Sequence, residues 1–189
     1  MVIPTQAPPQ GLFYCAACFS EAEQHALLRQ VQALPFTHDV MHGKPMLRSG
    51  TCFGYTYVAV GRRLYPAPPL PEFLLPVVER ALLQCPARTQ VDMCLVQRYP
   101  RDAGIGWHKD ASVFGDVILG VSLGAEGRLQ FRPAGATQVS YELLLAPGSL
   151  YVMQGTARWD WQHRVPPVKA ERYSLTFRQV NAPSSGVSR

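Results

Sequence analysis

The segment WHKD sets His108 and Asp110 two residues apart, and on an extended chain that spacing turns both side chains to one face. An imidazole and a carboxylate held side by side suit a divalent metal. A third donor has to come from elsewhere in the chain, and His163 in WDWQHRVPP is the strongest candidate. Two histidines and one carboxylate on one side of a metal form the facial arrangement of non-haem Fe(II) oxygenases, which leaves positions open for a co-substrate and O₂. The stretch ERYSLTFRQV fits the same site. Read as a strand, it puts Arg172, Ser174, Thr176 and Arg178 on one face and Tyr173, Leu175 and Phe177 on the other. A dicarboxylate co-substrate needs arginine near the metal, because the guanidinium fork binds two oxygens at once. Taken singly, each piece has a plainer reading: a turn for the H-x-D, a core or surface histidine, a polar strand face turned to water. Order, spacing and strand context together favour the metal site.

A chain of short strands has to position these residues. With 189 residues, 47% of them hydrophobic, the protein is long enough for one buried core within a single domain. Seventeen prolines and fifteen glycines mark many turns, favouring strands over a helical bundle. Residues 1–10 read as a loosely held, proline-rich lead-in, 11–180 as the domain, and 181–189 as a small polar tail expected to be disordered. Ser20 and Glu23 have the form of a capping box opening a helix with Leu27, Leu28, Val31 and Leu34 along one stripe, stopped by Pro35. A second helix is predicted in PEFLLPVVERALLQ, and both should lie on a sheet. From Val91 onward strand follows strand, which predicts a mainly β (α+β) fold: an eight-stranded sandwich or barrel closed as a jelly roll. Between the helices, in residues 36–70, FGYTYVAV alternates as a strand and the rest reads as loop.

The net charge of +5 is carried unevenly, since Lys44, Lys109 and Lys169 are the only lysines among 18 basic residues. An arginine excess of this size permits nucleic-acid binding without demanding it. No apolar run approaches the roughly 20 residues that span a bilayer, and the opening MVIPTQAPPQ lacks signal-peptide character, so a cytoplasmic protein without membrane association is expected. No obligate protein partner is evident. Cys15, Cys18, Cys52, Cys85 and Cys94 are odd in number and lie in apolar surroundings, so buried thiols are expected in place of a disulfide framework. Cys15 and Cys18 form a lone C-x-x-C with no second pair to complete a zinc site.

Taken in order, LVQRY, GWHKD, VSLGAEGRLQFR, GSLYVMQG, WQHRVP and RYSLTFR make the chain resemble the AlkB-like Fe(II)/2-oxoglutarate-dependent dioxygenases from about Met93 to Val180, and GLFYCAACFSEAEQHALL is similar to the start of such proteins. The resemblance implies a double-stranded β-helix, with His108, Asp110 and His163 holding Fe(II). It also implies that Arg172 and Arg178, in the R-x-N-x-T-x-R strand that includes Thr176, hold the carboxylates of 2-oxoglutarate, with Tyr99 of the N-x-Y segment touching the same molecule. Two departures lie beside that co-substrate: Gln97 and Ser174 stand where the family has asparagine, keeping hydrogen-bonding capacity but changing reach. A third is Ser112, two positions after Asp110, where base-repairing members carry an acidic residue. The resemblance places a substrate lid in the region of about residues 36–70, chiefly at 44–57, in which Tyr55 and Tyr57 could stack on an extruded base with Arg48 near a phosphate; Phe53 reads better as a packed residue. The activity implied is oxidative dealkylation of DNA or RNA, single strands preferred, using O₂. The alternatives are the same chemistry on a protein side chain or small molecule, and a jelly-roll binding module without catalysis.

Overall fold

A computed structural model describes residues 7–41 and 44–181. In chain order the elements are β1 (Leu12–Cys15), α1 (Glu21–Gln32), β2 (Thr37–Met41), β3 (Lys44–Phe53), β4 (Tyr55–Val58), β5 (Arg63–Pro66), a 3-10 turn (Glu72–Leu74) leading into α2 (Leu75–Leu83), β6 (Met93–Tyr99), β7 (Ile105–His108), β8 (Phe114–Gly124), β9 (Gly127–Pro133), β10 (Tyr141–Leu145), β11 (Leu150–Met153), α3 (Gly155–Trp159), β12 (Trp161–Val165) and β13 (Arg172–Val180). Among the described residues they form a seven-stranded sheet in the order β1-β11-β8-β13-β6-β3-β2, a four-stranded sheet in the order β10-β9-β12-β7, and the separate pair β4-β5. The eight strands from β6 to β13 divide evenly between the two larger sheets, as in a jelly roll.

Period-2 alternation sorts the larger sheet into two faces. Cys94 and Val96 of β6, Val117, Leu119, Val121 and Leu123 of β8, Leu150 and Val152 of β11, and Tyr173, Leu175 and Phe177 of β13 all turn outward, into a core closed by the helices. From α1 that core receives Leu27 and Val31, and from the second helical segment Leu74, Val77 and Ala81. Burying each large aliphatic side chain contributes about 1.5–3 kcal/mol, so this layer anchors the sheet. The inward residues of the same strands, including Met93, Tyr99, Ile118, Tyr151 and Met153, meet Leu129, Phe131, Leu143 and Leu145 of the smaller sheet in a second core.

Helix α1 opens with the expected capping box: Ser20 Oγ accepts from Glu23 N–H, and the Glu23 carboxylate accepts from Ser20 N–H at 2.8 Å. Glu23 also pairs with Arg80 of α2 at 2.8 Å, joining the two helices. Residues 36–70 differ from the sequence expectation. Most of the stretch read as loop is strand, because β3 pairs with β6 from Ser49↔Arg98 to Phe53↔Cys94 and extends the larger sheet, with β2 at its edge. Polar and glycine residues hid this strand, which borrows its apolar support from β6. Phe53 lies in the helix-side core, as read, while the polar tail beyond Asn181 and residues 1–6 of the lead-in fall outside the described residues. None of the five cysteines is in a disulfide. Among the described residues, no helix is long and apolar enough to cross a membrane.

Candidate active site

His108 ends β7 and His163 lies on β12, where the two are register partners, their ring centroids 4.3 Å apart. Asp110 follows two residues later, just past the strand. All three face the space between the sheets, in a tight cavity also lined by Gln97, Tyr99, Tyr151, Arg172, Ser174, Thr176 and Arg178 of the larger sheet. A larger cleft of about 280 Å³ lies outside, between the two main helices, but its only charged side chains are the ion-paired Glu23 and Arg80. Size therefore does not mark the site; donor chemistry does. The polar face of β13 is turned inward, with Arg172 1%, Ser174 5%, Thr176 6% and Arg178 9% exposed.

Neighbouring groups set the state of these three side chains. His108 Nδ1 stands 2.8 Å from the Gly106 carbonyl, which can only accept, so Nδ1 donates there and Nε2 is the nitrogen turned to the cavity. Burial above all pushes His163 down to about 3, leaving its imidazole neutral near pH 7. Its 3.5 Å contact from Nε2 to Asp110 Oδ2 is thus not an ion pair. Burial alone would raise the Asp110 carboxyl, but the charge of Arg178 above all, with Arg158 beyond it, outweighs burial and holds the group well below the usual carboxylate range. Arg178 orients that carboxylate, donating to Oδ1 from Nε at 2.9 Å and Nη2 at 2.6 Å. Among the described residues no three His, Cys, Asp or Glu side chains are gathered as a finished metal cage.

A buried guanidinium lies beside them. Arg172 is buried, donates from Nε to Ser122 Oγ at 3.1 Å and lies over the Tyr99 ring, yet its Nη1 has no partner. A buried guanidinium N–H left unpaired is costly, and a carboxylate would satisfy it. Room for this side chain comes from Gly127, where an added Cβ would meet Arg172 Nε at 2.6 Å. Gln97 and Ser174, the two departures from the family pattern, are register partners across β6 and β13, and Gln97 Oε1 accepts from the Tyr99 hydroxyl at 2.9 Å. The longer side chain thus stands opposite the shorter one.

Two residues escaped the sequence reading. Tyr151 on β11 lays its ring over Gly120 of β8, where an added Cβ would meet the phenol carbons and oxygen at 2.1–2.5 Å. A glycine in the middle of a buried strand was the available signal. Arg158 of α3 is 2% exposed and donates to the carbonyls of Asp110, Ala111, Phe114 and Gly115 at 2.8–3.3 Å, bracing the loop that carries Asp110. A lone arginine in GTARWDW gives no such signal. Of the expected substrate contacts, Ser112 is exposed on that same loop. Tyr55 is 38% exposed, and Tyr57 packs edge-on against Phe114 at 5.4 Å. Arg48 is only 8% exposed, reaching the Gly104 carbonyl at 3.5 Å, so it is folded inward and not held out to a phosphate. As a residue of β3 beside β6, it lies over the protein interior.

The family model of the 2OG-Fe(II) oxygenase superfamily matches residues 11–178. The chain belongs to the 2OG-Fe(II) oxygenase superfamily. Within this superfamily it is AlkB-like. It is 28% identical over 210 residues to the alkylated DNA repair protein ALKBH8 homolog of Arabidopsis thaliana, covering 93% of this chain and 60% of that one. To the alpha-ketoglutarate-dependent dioxygenase AlkB of Salmonella typhimurium it is 33% identical over 126 residues, 61% of this chain and 58% of the other. The chain thus spans less than two thirds of the length of these curated relatives. Among solved structures, OsALKBH1 superposes with a TM-score of 0.76 at 18% identity, covering 93% of this chain and 99% of that one, which shows the shared jelly-roll fold. Membership of the 2OG-Fe(II) oxygenase superfamily implies Fe(II) as cofactor, 2-oxoglutarate as co-substrate and O₂ as oxidant.

Proposed function

We propose that the protein dealkylates alkylated nucleic acid oxidatively, acting on single-stranded DNA or RNA. The observation that carries this reading is the conjunction of His108, Asp110 and His163 with an inward-facing arginine strand in one cavity, in a chain whose relatives include a protein named for alkylated DNA repair. His108 Nε2, an Asp110 oxygen and His163 Nε2 would hold Fe(II). Bound iron supplies the activation of O₂, by which 2-oxoglutarate becomes succinate and CO₂ and an N-alkyl C–H is hydroxylated, the product then releasing an aldehyde.

The chain's own residues bind and orient. Arg172 would take the distal carboxylate of 2-oxoglutarate, with Ser174 and the Tyr151 hydroxyl beside it and the Tyr99–Gln97 pair along its length. Arg178 fixes the Asp110 carboxylate, Thr176 lines the wall between the two arginines, and the apolar Ile105, Leu129, Leu145 and Val165 exclude water from the cavity. Tyr55 is the exposed stacking surface for a base, with Ser112 on the rim. Ser112, which supplies no charge to a damaged base, leaves specificity to pocket shape.

The test is direct. Protein loaded anaerobically with Fe(II) and 2-oxoglutarate is exposed to air with a panel of alkylated oligonucleotides, and products are weighed. Loss of an alkyl mass from an oligonucleotide is expected. Consumption of 2-oxoglutarate with no oligonucleotide altered or bound at low salt would move the substrate to a protein side chain or small molecule.

A further inference from the structure

The outer face of the four-stranded sheet carries a cluster that the iron chemistry leaves unused. Alternation puts Trp107 on the reverse of β7 from His108, and Arg164 on the reverse of β12 from His163. On β9, Arg128, Gln130 and Arg132 alternate with the buried Leu129 and Phe131. The guanidinium carbons of Arg132 and Arg164 both lie over the Trp107 indole, 4.3 and 4.8 Å from its centroid. Each arginine is pinned again through Nε by a glutamine from the neighbouring strand: Arg132 donates to Gln162 Oε1 at 2.9 Å, and Arg164 to Gln130 Oε1 at 2.7 Å.

Those contacts hold the forks but do not consume them. Glu142, the carboxylate beside this cluster, is spent on Arg128 at 3.5 Å and on Gln130. Among the described residues neither Arg132 nor Arg164 is ion-paired. The terminal amino groups of Arg164 have no protein partner there, and Arg132 has only a 3.4 Å contact to the Thr137 carbonyl. Two like charges are thus fixed around one indole by three neutral side chains, an arrangement whose self-repulsion an anion relieves. Stacked, pre-oriented guanidiniums lose less freedom on gripping a phosphate than mobile surface side chains do.

We propose that this face is a nucleic-acid backbone site, in which Arg132 and Arg164 each take a phosphate of a single strand. The proposal rests on the nucleic-acid reading above and adds a second point of grip to it. Trp107 serves as a spacer, its indole covered by the two guanidiniums. Because β7 is the edge strand of its sheet, a chain held here crosses one strand edge to bring a base to the cavity behind.

Binding of an unmodified single-stranded oligonucleotide to the full chain, followed by fluorescence anisotropy over a series of salt concentrations, tests it. Replacing both residues (R132Q/R164Q) should weaken binding at low salt roughly ten- to thirtyfold and make the slope of log K against log salt shallower by about 1.4, two phosphates at about 0.7 each. A thermal midpoint close to the wild type confirms that the variant is folded. Should it not fold, the wild type still decides: bound oligonucleotide is expected to protect Arg132 and Arg164 from an arginine-directed dicarbonyl reagent. Unchanged affinity and slope in a folded variant, or unprotected arginines in the bound wild type, overturn the backbone site while the dealkylation reading stands. A wild type that binds no strand even at low salt overturns both. Stronger protection by polyglutamate than by the oligonucleotide overturns it in favour of an acidic protein.

Discussion

At the scale of single residues, the site is a set of donors tuned by neighbours. His163 is kept neutral near pH 7 by burial, and the Gly106 carbonyl accepts from His108 Nδ1, which leaves Nε2 as the nitrogen that would meet a cation. Replacing His108, Asp110 or His163 by alanine should abolish Fe(II)-dependent 2-oxoglutarate consumption, checked alongside Co(II) titration and circular dichroism; a His163→Ala protein with full turnover would exclude that ligand. Arg172→Met should weaken 2-oxoglutarate binding roughly ten- to a hundredfold, because a charge-assisted hydrogen bond contributes about 1.5–3 kcal/mol, and calorimetry on Mn(II)-loaded protein measures it without turnover. Tyr151→Phe should cost less, about 0.5–1.5 kcal/mol, and Gly120→Ala more than Tyr151→Phe, since the new methyl displaces the whole ring. That His108, Asp110, His163 and the two arginines line one cavity was legible because metal and carboxylate chemistry restrict residue type. Tyr151 and Arg158 were not, since a phenol and a guanidinium gain their meaning only from a glycine on the next strand and from four carbonyls of a distant loop and the start of β8.

At the scale of elements, local signals and pairing signals separate cleanly. The first helix announced itself by its cap, since Ser20 and Glu23 act within one turn. Ser20→Ala should lower unfolding free energy by about 0.5–2 kcal/mol in denaturant titrations while leaving 2-oxoglutarate affinity unaltered. Glu23 adds a pH dependence: hydrogen bonding to Arg80 and then to Ser20 lowers its carboxyl to about 2. A depressed carboxyl stabilises the folded state above its unfolded value near 4.5, and the contribution is lost as pH falls from there toward 2. Wild type and Glu23→Gln should therefore differ in melting temperature at pH 6 and converge near pH 2. Strand β3 was read as loop for the opposite reason. KPMLRSGTCF carries little β signal of its own, and its extended form is imposed by β6 alongside.

At the scale of the whole molecule, two cores share one sheet, so occupancy of the inner site should be felt globally. Mn(II) with 2-oxoglutarate at a hundred times the dissociation constant should stabilise the fold by about 2.7 kcal/mol, or roughly 5–10 °C in melting temperature, and EDTA should reverse it. Scanning calorimetry with and without both ligands gives the answer, and an unmoved transition would argue that the cavity binds neither. The strand that joins everything is β13, the last of the described strands, inserted between β6 and β8 with both faces buried. Until residues 172–180 have been made, those two neighbours have no common partner, and the arginines of the cavity do not exist. The order of synthesis therefore separates two steps: a growing chain carries His108, Asp110 and His163 before it carries the two arginines proposed to face the co-substrate. That separation can be used. A chain stopped at residue 170 presents two unpaired edges around a strand-wide slot, and a synthetic ERYSLTFRQV peptide should enter it by β-strand addition, restoring 2-oxoglutarate consumption in proportion to the peptide bound.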